Sequence, residues 1–164
     1  MAKIYISLGS NIEPVAHLTA GLRDLTRHLG QLELSSVYES EAVGFDGTNF
    51  LNMVAAADTS LSVAELNSLF KQIERDNGRL PSAKKFAPRT LDLDLLLYDD
   101  LVCDSPIVLP RAEITENAFV LWPLAEIAPE RVHPTTGLNY QSLWDAYNKP
   151  QKLWVIELTW PPLV

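Results

Sequence analysis

Lys85-Phe-Ala-Pro-Arg-Thr-Leu-Asp-Leu-Asp-Leu-Leu-Leu-Tyr98 divides into two halves of different character. The second half reads as a strand: Leu91, Leu93, Leu95 and Leu97 fall on one face, and Asp92, Asp94, Leu96 and Tyr98 on the other. Two carboxylates on one face, two strand rises apart, lie roughly 6.5–7 Å apart at Cα. Asp is a poor strand former, and a carboxylate in an apolar strand is costly unless a cation pairs with it. The first half offers cations: from Arg79 to Arg89 the chain carries Arg79, Lys84, Lys85 and Arg89 and no acidic residue. Two readings stand. The aspartates are solvated or salt-bridged, with Arg89 or Lys85 as partner. Alternatively they hold a divalent cation such as Mg²⁺ beside a polyphosphate that the basic loop neutralises. The basic loop favours the second.

Working outward, 164 residues suffice for one domain with a sizeable core, and 47% apolar with 21% charged residues is ordinary globular composition. No apolar run reaches the ~18 residues of a membrane helix, and the opening Met-Ala-Lys-Ile-Tyr-Ile-Ser lacks the regions of a signal peptide. Cys103 is the lone cysteine, so no intrachain disulfide forms and a cytoplasmic location is expected. A net charge of -8 argues against a general binder of nucleic acid or anionic membrane. His17, His28 and His133 have no zinc-ligand spacing.

Lys3 to Leu8 reads as a strand ending in Gly9-Ser10-Asn11, where Ser10 and Asn11 suit a turn and a helix N-cap. No phosphate-binding glycine motif of the P-loop or dinucleotide kind occurs. Pro14 opens a helix whose apolar stripe is Val15, Leu18, Leu22, Leu25 and Leu29, with Gly30 as its stop. Leu34 to Tyr38 is a second strand, and Phe50 to Ala57 a third, with Phe50, Asn52 and Val54 on one face. A ring beside an amide can stack a flat heterocycle and bond its edge; equally, Phe50 can be core and Asn52 a strand-end amide. Ser62-Val-Ala-Glu65 is a capping box for a helix buried through Leu66, Leu69, Phe70 and Ile73 and stopped at Asn77-Gly78. Glu74 meets the negative end of that helix, so a cationic partner such as Arg79 is expected. Ala118 to Ala125 reads as core, Tyr140 to Tyr147 as a short helix, and Leu153 to Leu158 as a last strand. The order βαββαβ, then irregular chain, predicts an α+β protein with a ferredoxin-like core: two helices on one face of an antiparallel sheet.

The same blocks, in order, carry a resemblance. Tyr5-Ile-Ser-Leu-Gly-Ser-Asn11, Ser36-Val-Tyr-Glu-Ser40, Gly44 with Phe50-Leu-Asn52, Glu74 with Gly78-Arg79, Lys85 to Leu96, and Phe119-Val-Leu-Trp-Pro-Leu-Ala-Glu-Ile-Ala-Pro129 resemble the 6-hydroxymethyl-7,8-dihydropterin pyrophosphokinase family. The resemblance spans nearly the whole chain. It implies a cytoplasmic, monomeric enzyme of folate biosynthesis that transfers pyrophosphate from ATP to a reduced pterin and releases AMP. It implies two Mg²⁺ ions on Asp92 and Asp94, and Arg79 and Arg89 as catalytic arginines. The pterin would meet Ser40, Val43, Phe50, Asn52, Asp92 and Phe119, with the two phenylalanines sandwiching its ring. ATP would meet Lys71, Glu74, Arg79, Lys84, Lys85, Phe86, Arg89, Leu95 and Arg111, under a lid running from Arg79 to Pro88.

The chain also departs from the family pattern. After Pro110 the family usually has His and an aromatic residue; here it is Arg111-Ala112. An arginine is usual where Asn117 stands, and a basic residue is frequent where Pro81 stands. These changes cluster on the ATP side. They leave an alternative of another class: a divergent relative that binds a pterin with weak or no ATP turnover, or that acts on a modified pterin.

Overall fold

A computed structural model describes residues 1–41, 49–78 and 90–163. Its elements are β1 (Ala2–Ser10), α1 (Pro14–Leu29), β2 (Glu33–Leu34), β3 (Val37–Ser40), β4 (Phe50–Thr59), α2 (Val63–Asp76), β5 (Asp92–Tyr98), α3 (Glu113–Glu116), α4 (Ala118–Ile127), α5 (Tyr140–Ala146) and β6 (Leu153–Ile156).

The sheet runs β5-β1-β4-β3-β6, with β2 beside β4, and every pairing is antiparallel. Because β1 and β3 both pair with β4, they run parallel to each other, joined through α1; β4 and β5 flank β1 in the same way, joined through α2. This is the split βαβ arrangement of the ferredoxin-like fold expected from the element order. β6 extends it by one edge strand.

Alternation along the strands makes two faces. Ile4, Ile6 and Leu8 of β1, Met53 and Ala55 of β4, and Leu93 and Leu95 of β5 bury against Leu18, Leu22 and Leu25 of α1 and Leu66, Phe70 and Ile73 of α2. The opposite face is covered by later chain: Tyr5, Val54, Ala56, Leu96 and Leu97 pack with Val120, Leu121 and Leu124 of α4 and with Tyr140.

The helix signals behave as their chemistry dictates. Pro14 opens α1, and the reciprocal cap of α2 is formed, with Glu65 N donating to Ser62 Oγ (3.1 Å) and Ser62 N to Glu65 Oε1 (3.0 Å). Gly78 leaves α2 at φ +93°, a left-handed conformation that favours glycine.

Four expectations need correction. Val15 belongs to the apolar stripe of α1 by spacing, yet it is 47% exposed because it lies in the first turn, ahead of the buried Leu18. Ser10 and Asn11 do not cap α1; Glu13 occupies the cap position, while Ser10 and Asn11 are buried and Ser10 Oγ donates to the carbonyl of Thr90, with Ile12 O a second, longer contact at 3.2 Å. The second strand is broken in two: Leu34 faces Ala55 and Tyr38 faces Asn52, so four steps on one side match three on the other. Ser35 fills the break, its N–H donating to Val54 O and its Oγ accepting from Val54 N.

The fourth correction falls in β5. Ile6 faces Leu95 and Tyr5 faces Leu97, so Leu96 is the extra residue of a β-bulge. The bulge exchanges the faces beyond it. Leu97 joins the α4 side and Tyr98 the helix side, opposite to strict alternation.

Candidate active site

The α4 face changes character along its length. Its far end is apolar. Its near end, where β1 finishes and β5 begins, is polar, and register places the side chains there in rows. Asp92, Gly9, Asn52 and Tyr38 form one row across β5, β1, β4 and β3; Asp94, Ser7 and Val54 form the next. Adjacent strands lie about 4.8 Å apart, so Asp92 and Asn52, two strands apart, are about 10 Å apart at the backbone.

Gly9 keeps that gap open. A Cβ there would fall 2.6 Å from Asn52 Oδ1, so the Asn52 amide lies across a strip of bare backbone. Asn52 is itself buried. Phe50, half-buried, starts the same strand and faces Ser40 at the end of β3. Phe119 is half-buried in the first turn of α4 and packs against the core of this face. Pro123 lies four residues later within α4; lacking an N–H, it leaves the Phe119 carbonyl without the donor a helix normally supplies.

Two contacts set the position of α4 and its aromatic layer. Glu126 accepts from Ser36 N (3.0 Å), Ser36 Oγ (2.7 Å) and Tyr38 O–H (2.7 Å), fastening the end of α4 to β3. Burial pushes the Tyr38 phenol well above its ordinary pKa, and the bond to the Glu126 carboxylate adds to this, so Tyr38 stays a neutral donor. Beyond Tyr38 a run of rings continues through Trp122 (4.8 Å between centroids), Trp144 (5.1 Å, stacked) and Tyr147 (5.5 Å, stacked), which binds α5 to α4.

On the other flank, β5 is an edge strand, and α2 and the segment before α3 take up its outward backbone groups. Glu74 Oε2 accepts from Leu93 N at 2.8 Å, between the two aspartates. Arg79, the cation expected as its partner, lies outside the described residues; the backbone N–H of Leu93 is one partner of the carboxylate. Arg111 N donates to Leu96 O (3.1 Å) and Arg111 Nε to Leu95 O (3.2 Å), while Nη2 lies 3.5 Å from Asp94 Oδ1. Glu113 Oε2 is 3.9 Å from Arg111 Nε.

The remaining site expectations divide clearly. Asp92 is half-buried and Asp94 exposed. Lys71 is exposed on α2, one turn before Glu74. Leu95 buries its side chain, 1% exposed, in the core beneath α1 and α2, and its carbonyl accepts from Arg111 Nε. Asn117 supplies the N-cap position of α4 without a side-chain cap bond. Val43, Arg79, Lys84, Lys85, Phe86 and Arg89 lie outside the described residues.

Sequence reasoning missed three contributors. Gly9 had a signal, a glycine late in a strand; Glu126 had one too, the lone charge between Ala118 and Ile127. Ser7, which faces Asp94 across the register, had none.

As a donor set, two carboxylates on one face of an edge strand suit a hard cation that keeps waters and takes its other ligands from phosphate. Among the described residues no group of three or more His, Cys, Asp or Glu side chains is placed to hold a metal by itself. Also among them, no helix is long and apolar enough to cross a membrane.

Known proteins resemble this chain in sequence and in fold. A family model described as 7,8-dihydro-6-hydroxymethylpterin-pyrophosphokinase (HPPK) matches residues 5–129. A 2-amino-4-hydroxy-6-hydroxymethyldihydropteridine pyrophosphokinase from Aquifex aeolicus is 35% identical over 99% of this chain and 96% of its own length. Its counterpart from Pseudomonas aeruginosa is 38% identical over 78% of this chain and 82% of its own length. Among solved structures, a Plasmodium falciparum HPPK-DHPS is similar in fold, with a TM-score of 0.69 over 88% of this chain at 13% identity; the match spans 43% of that longer chain. On the matched length and identity, the chain belongs to the 7,8-dihydro-6-hydroxymethylpterin-pyrophosphokinase family.

Proposed function

We propose that this protein transfers the pyrophosphoryl group of ATP to 6-hydroxymethyl-7,8-dihydropterin, giving the pterin diphosphate and AMP in folate biosynthesis. The observation that carries the reading is the registered row that sets Asp92 and the Asn52 amide on one open strip of sheet, with Gly9 between them. A flat heterocycle with a polar edge fits there: Phe50 and Phe119 offer ring faces, Asn52 offers a donor and an acceptor, and Ser40, with Val43 in our reading, would border the pocket. The hydroxymethyl arm of a pterin so held would point along the row toward Asp92.

In the reaction the hydroxymethyl oxygen bonds to the β-phosphorus and loses its proton, the bond from that phosphorus to the α,β-bridging oxygen breaks, and AMP departs. Such transfers depend on positioning and charge stabilisation more than on a protein nucleophile. Asp92 and Asp94 are the residues to hold Mg²⁺, two ions in our reading. When bound, these ions supply neutralisation of the phosphate oxygens and polarisation of the attacking hydroxyl. Glu74 holds the strand between the aspartates in place through Leu93 N. Arg79 and Arg89 would stabilise the transferring phosphates, with Lys71, Lys84, Lys85 and Arg111 as further cations and Phe86 against the nucleotide. We further propose that the protein acts as a cytoplasmic monomer of one domain.

The test is nucleotide chromatography after mixing protein, Mg-ATP and the hydroxymethyl pterin. Stoichiometric AMP is expected. ADP would replace the reading with single-phosphate transfer. Neither product, with the pterin bound, would leave a pterin-binding relative.

A further inference from the structure

Arg111 is built into the strand that carries Asp94. Its backbone N–H takes the carbonyl of Leu96, the bulged residue, and its Nε takes the carbonyl of Leu95. Both bonds are made by backbone at the bulge, so the guanidinium is anchored where β5 departs from alternation. Its side chain is 24% exposed, and Nη2 is left to approach Asp94 Oδ1 at 3.5 Å. A long surface side chain loses most of an ion pair's worth to its own freedom; here two hydrogen bonds restrain the main chain and the Nε before the pair forms. An arginine also cannot shed its charge at any working pH. The positive charge beside Asp94 is therefore permanent.

From this placement we infer that Arg111 is a resident counter-cation of Asp94: it helps hold the carboxylate in the metal-free protein and tunes how tightly the aspartate pair binds a divalent cation. The inference rests on the proposed metal role of Asp92 and Asp94. A divalent ion arriving at Asp94 must displace the guanidinium or bind beside it, and either weakens binding. Anchored through Leu95 O, the displaced guanidinium stays at the site, free to face the phosphate oxygens that accompany the metal. Arg111 is thus a positioning residue that disfavours the metal without nucleotide and favours the metal-nucleotide pair, a coupling between two ligands through one charge.

The experiment uses the full chain and Mn²⁺ alone, with free Mn²⁺ followed by electron paramagnetic resonance. Arg111→Ala and Arg111→Gln, two neutral variants of different size, should each bind Mn²⁺ about three- to tenfold more tightly than the parent, the scale of removing one unit charge near a dication in screened solvent. Arg111→Lys, which keeps the charge, should stay within about twofold of the parent. Unchanged or weaker binding by both neutral variants overturns the inference, and so does a lysine variant that tightens binding as much as alanine does. Asp94→Asn separates this inference from the reading beneath it. If Asp94→Asn lowers Mn²⁺ affinity while the neutral Arg111 variants do not raise it, the counter-cation role alone falls. If Asp94→Asn leaves the affinity unchanged, the metal assignment falls and takes this inference with it.

Discussion

The two faces of the sheet are made by the same strands, one residue out of phase, and they do different work. Beneath α1 and α2 the packed core is apolar from Ile4 to Leu95, with the buried Ser10 and Thr59 as polar positions at strand ends, and none of the proposed chemistry lies there apart from the carbonyl of Leu95. On the α4 side the apolar cover stops short of the sheet's end, leaving Asp92, Asp94, Ser7 and Asn52 together where β1 ends. One face therefore holds the strands in register, and the register then decides which polar side chains become neighbours on the other. The bulge at Leu96 marks the division within β5: before it, alternation sets the aspartates on the α4 side, and after it, Leu96 and Leu97 together fill that side's core.

This division can be attacked from both sides. Asp94→Ala removes a carboxylate that is 55% exposed, so the fold should survive with little change in melting temperature. Turnover should fall by about a thousandfold or more, since a charge-stabilising group is lost from the transferring phosphate. AMP formation and thermal unfolding measured on one preparation check both halves. Full activity in that variant would sink the metal assignment. Leu22→Ala on the helix side should do the reverse. Leu22 is fully buried beneath the sheet, and its truncation should cost about 2–5 kcal/mol of stability. Below its new melting temperature the pterin KM should match the parent's. A large KM change would mean that the two faces are not separable.

Gly9→Ala sharpens the comparison at the site itself. The added methyl would meet Asn52 Oδ1 at 2.6 Å, and the amide must swing away. Losing that one polar contact should raise the pterin KM about tenfold and move kcat far less. An equal fall in kcat with no change in KM would place Asn52 outside the pterin site. Glu126→Gln acts one step further back. The carboxylate accepts from Ser36 and Tyr38, and its loss should cost about 1–3 kcal/mol of stability. Because Phe119 rides on the same helix, the pterin KM should rise in Glu126→Gln and recover in Glu126→Asp only if the shorter acid still reaches Ser36 and Tyr38.

Much of this was legible in the sequence because the signals were local. Ser62 and Glu65 specify a cap within four residues, and Asp92 and Asp94 identify their face by spacing alone. The family resemblance supplied the order of the blocks and the residues proposed to meet the pterin on β4 and α4. What stayed hidden depends on partners far along the chain. Leu95-Leu-Leu-Tyr98 carries no polar residue to mark a change of face, so its bulge cannot be read without β1. Ser10 looks like a helix cap beside Pro14, yet its hydroxyl is claimed by Thr90 across the sheet. Arg111 stood out as a departure from the family, but its pairing with Asp94 exists only because the chain after β5 folds back along that edge.

The smallest effect lies at the apolar end of the α4 face. His133 is buried in the loop between α4 and α5, edge-on to the ring of Tyr140 at 6.0 Å. Its Nδ1 accepts from Thr135 N (3.3 Å) and Thr136 N (3.2 Å), so the neutral ring carries its proton on Nε2. Burial lowers the His133 pKa below its ordinary value of 6.5. The unfolded chain therefore takes up a proton at a pH where the folded chain does not, and stability falls as pH falls. The contribution is fully present above about pH 6.5 and is lost progressively below it, until the folded ring also protonates, with a slope of at most about 1.4 kcal/mol per pH unit for one proton. His133→Asn keeps a side-chain acceptor for the two threonine amides but cannot titrate. Melting temperatures of parent and variant, compared from pH 7.5 down to pH 5.5, should diverge only below about pH 6.5, with the parent losing more. Parallel curves would mean that His133 protonates as readily folded as unfolded. AMP production per folded molecule should change by the same factor in both proteins over this range. The reason is distance: Tyr5, whose ring packs in this apolar end under Arg131, is four residues along β1 from Gly9, about 13 Å from the row that holds Asp92 and Asn52, and two residues, about 7 Å, from the Ser7–Asp94 row.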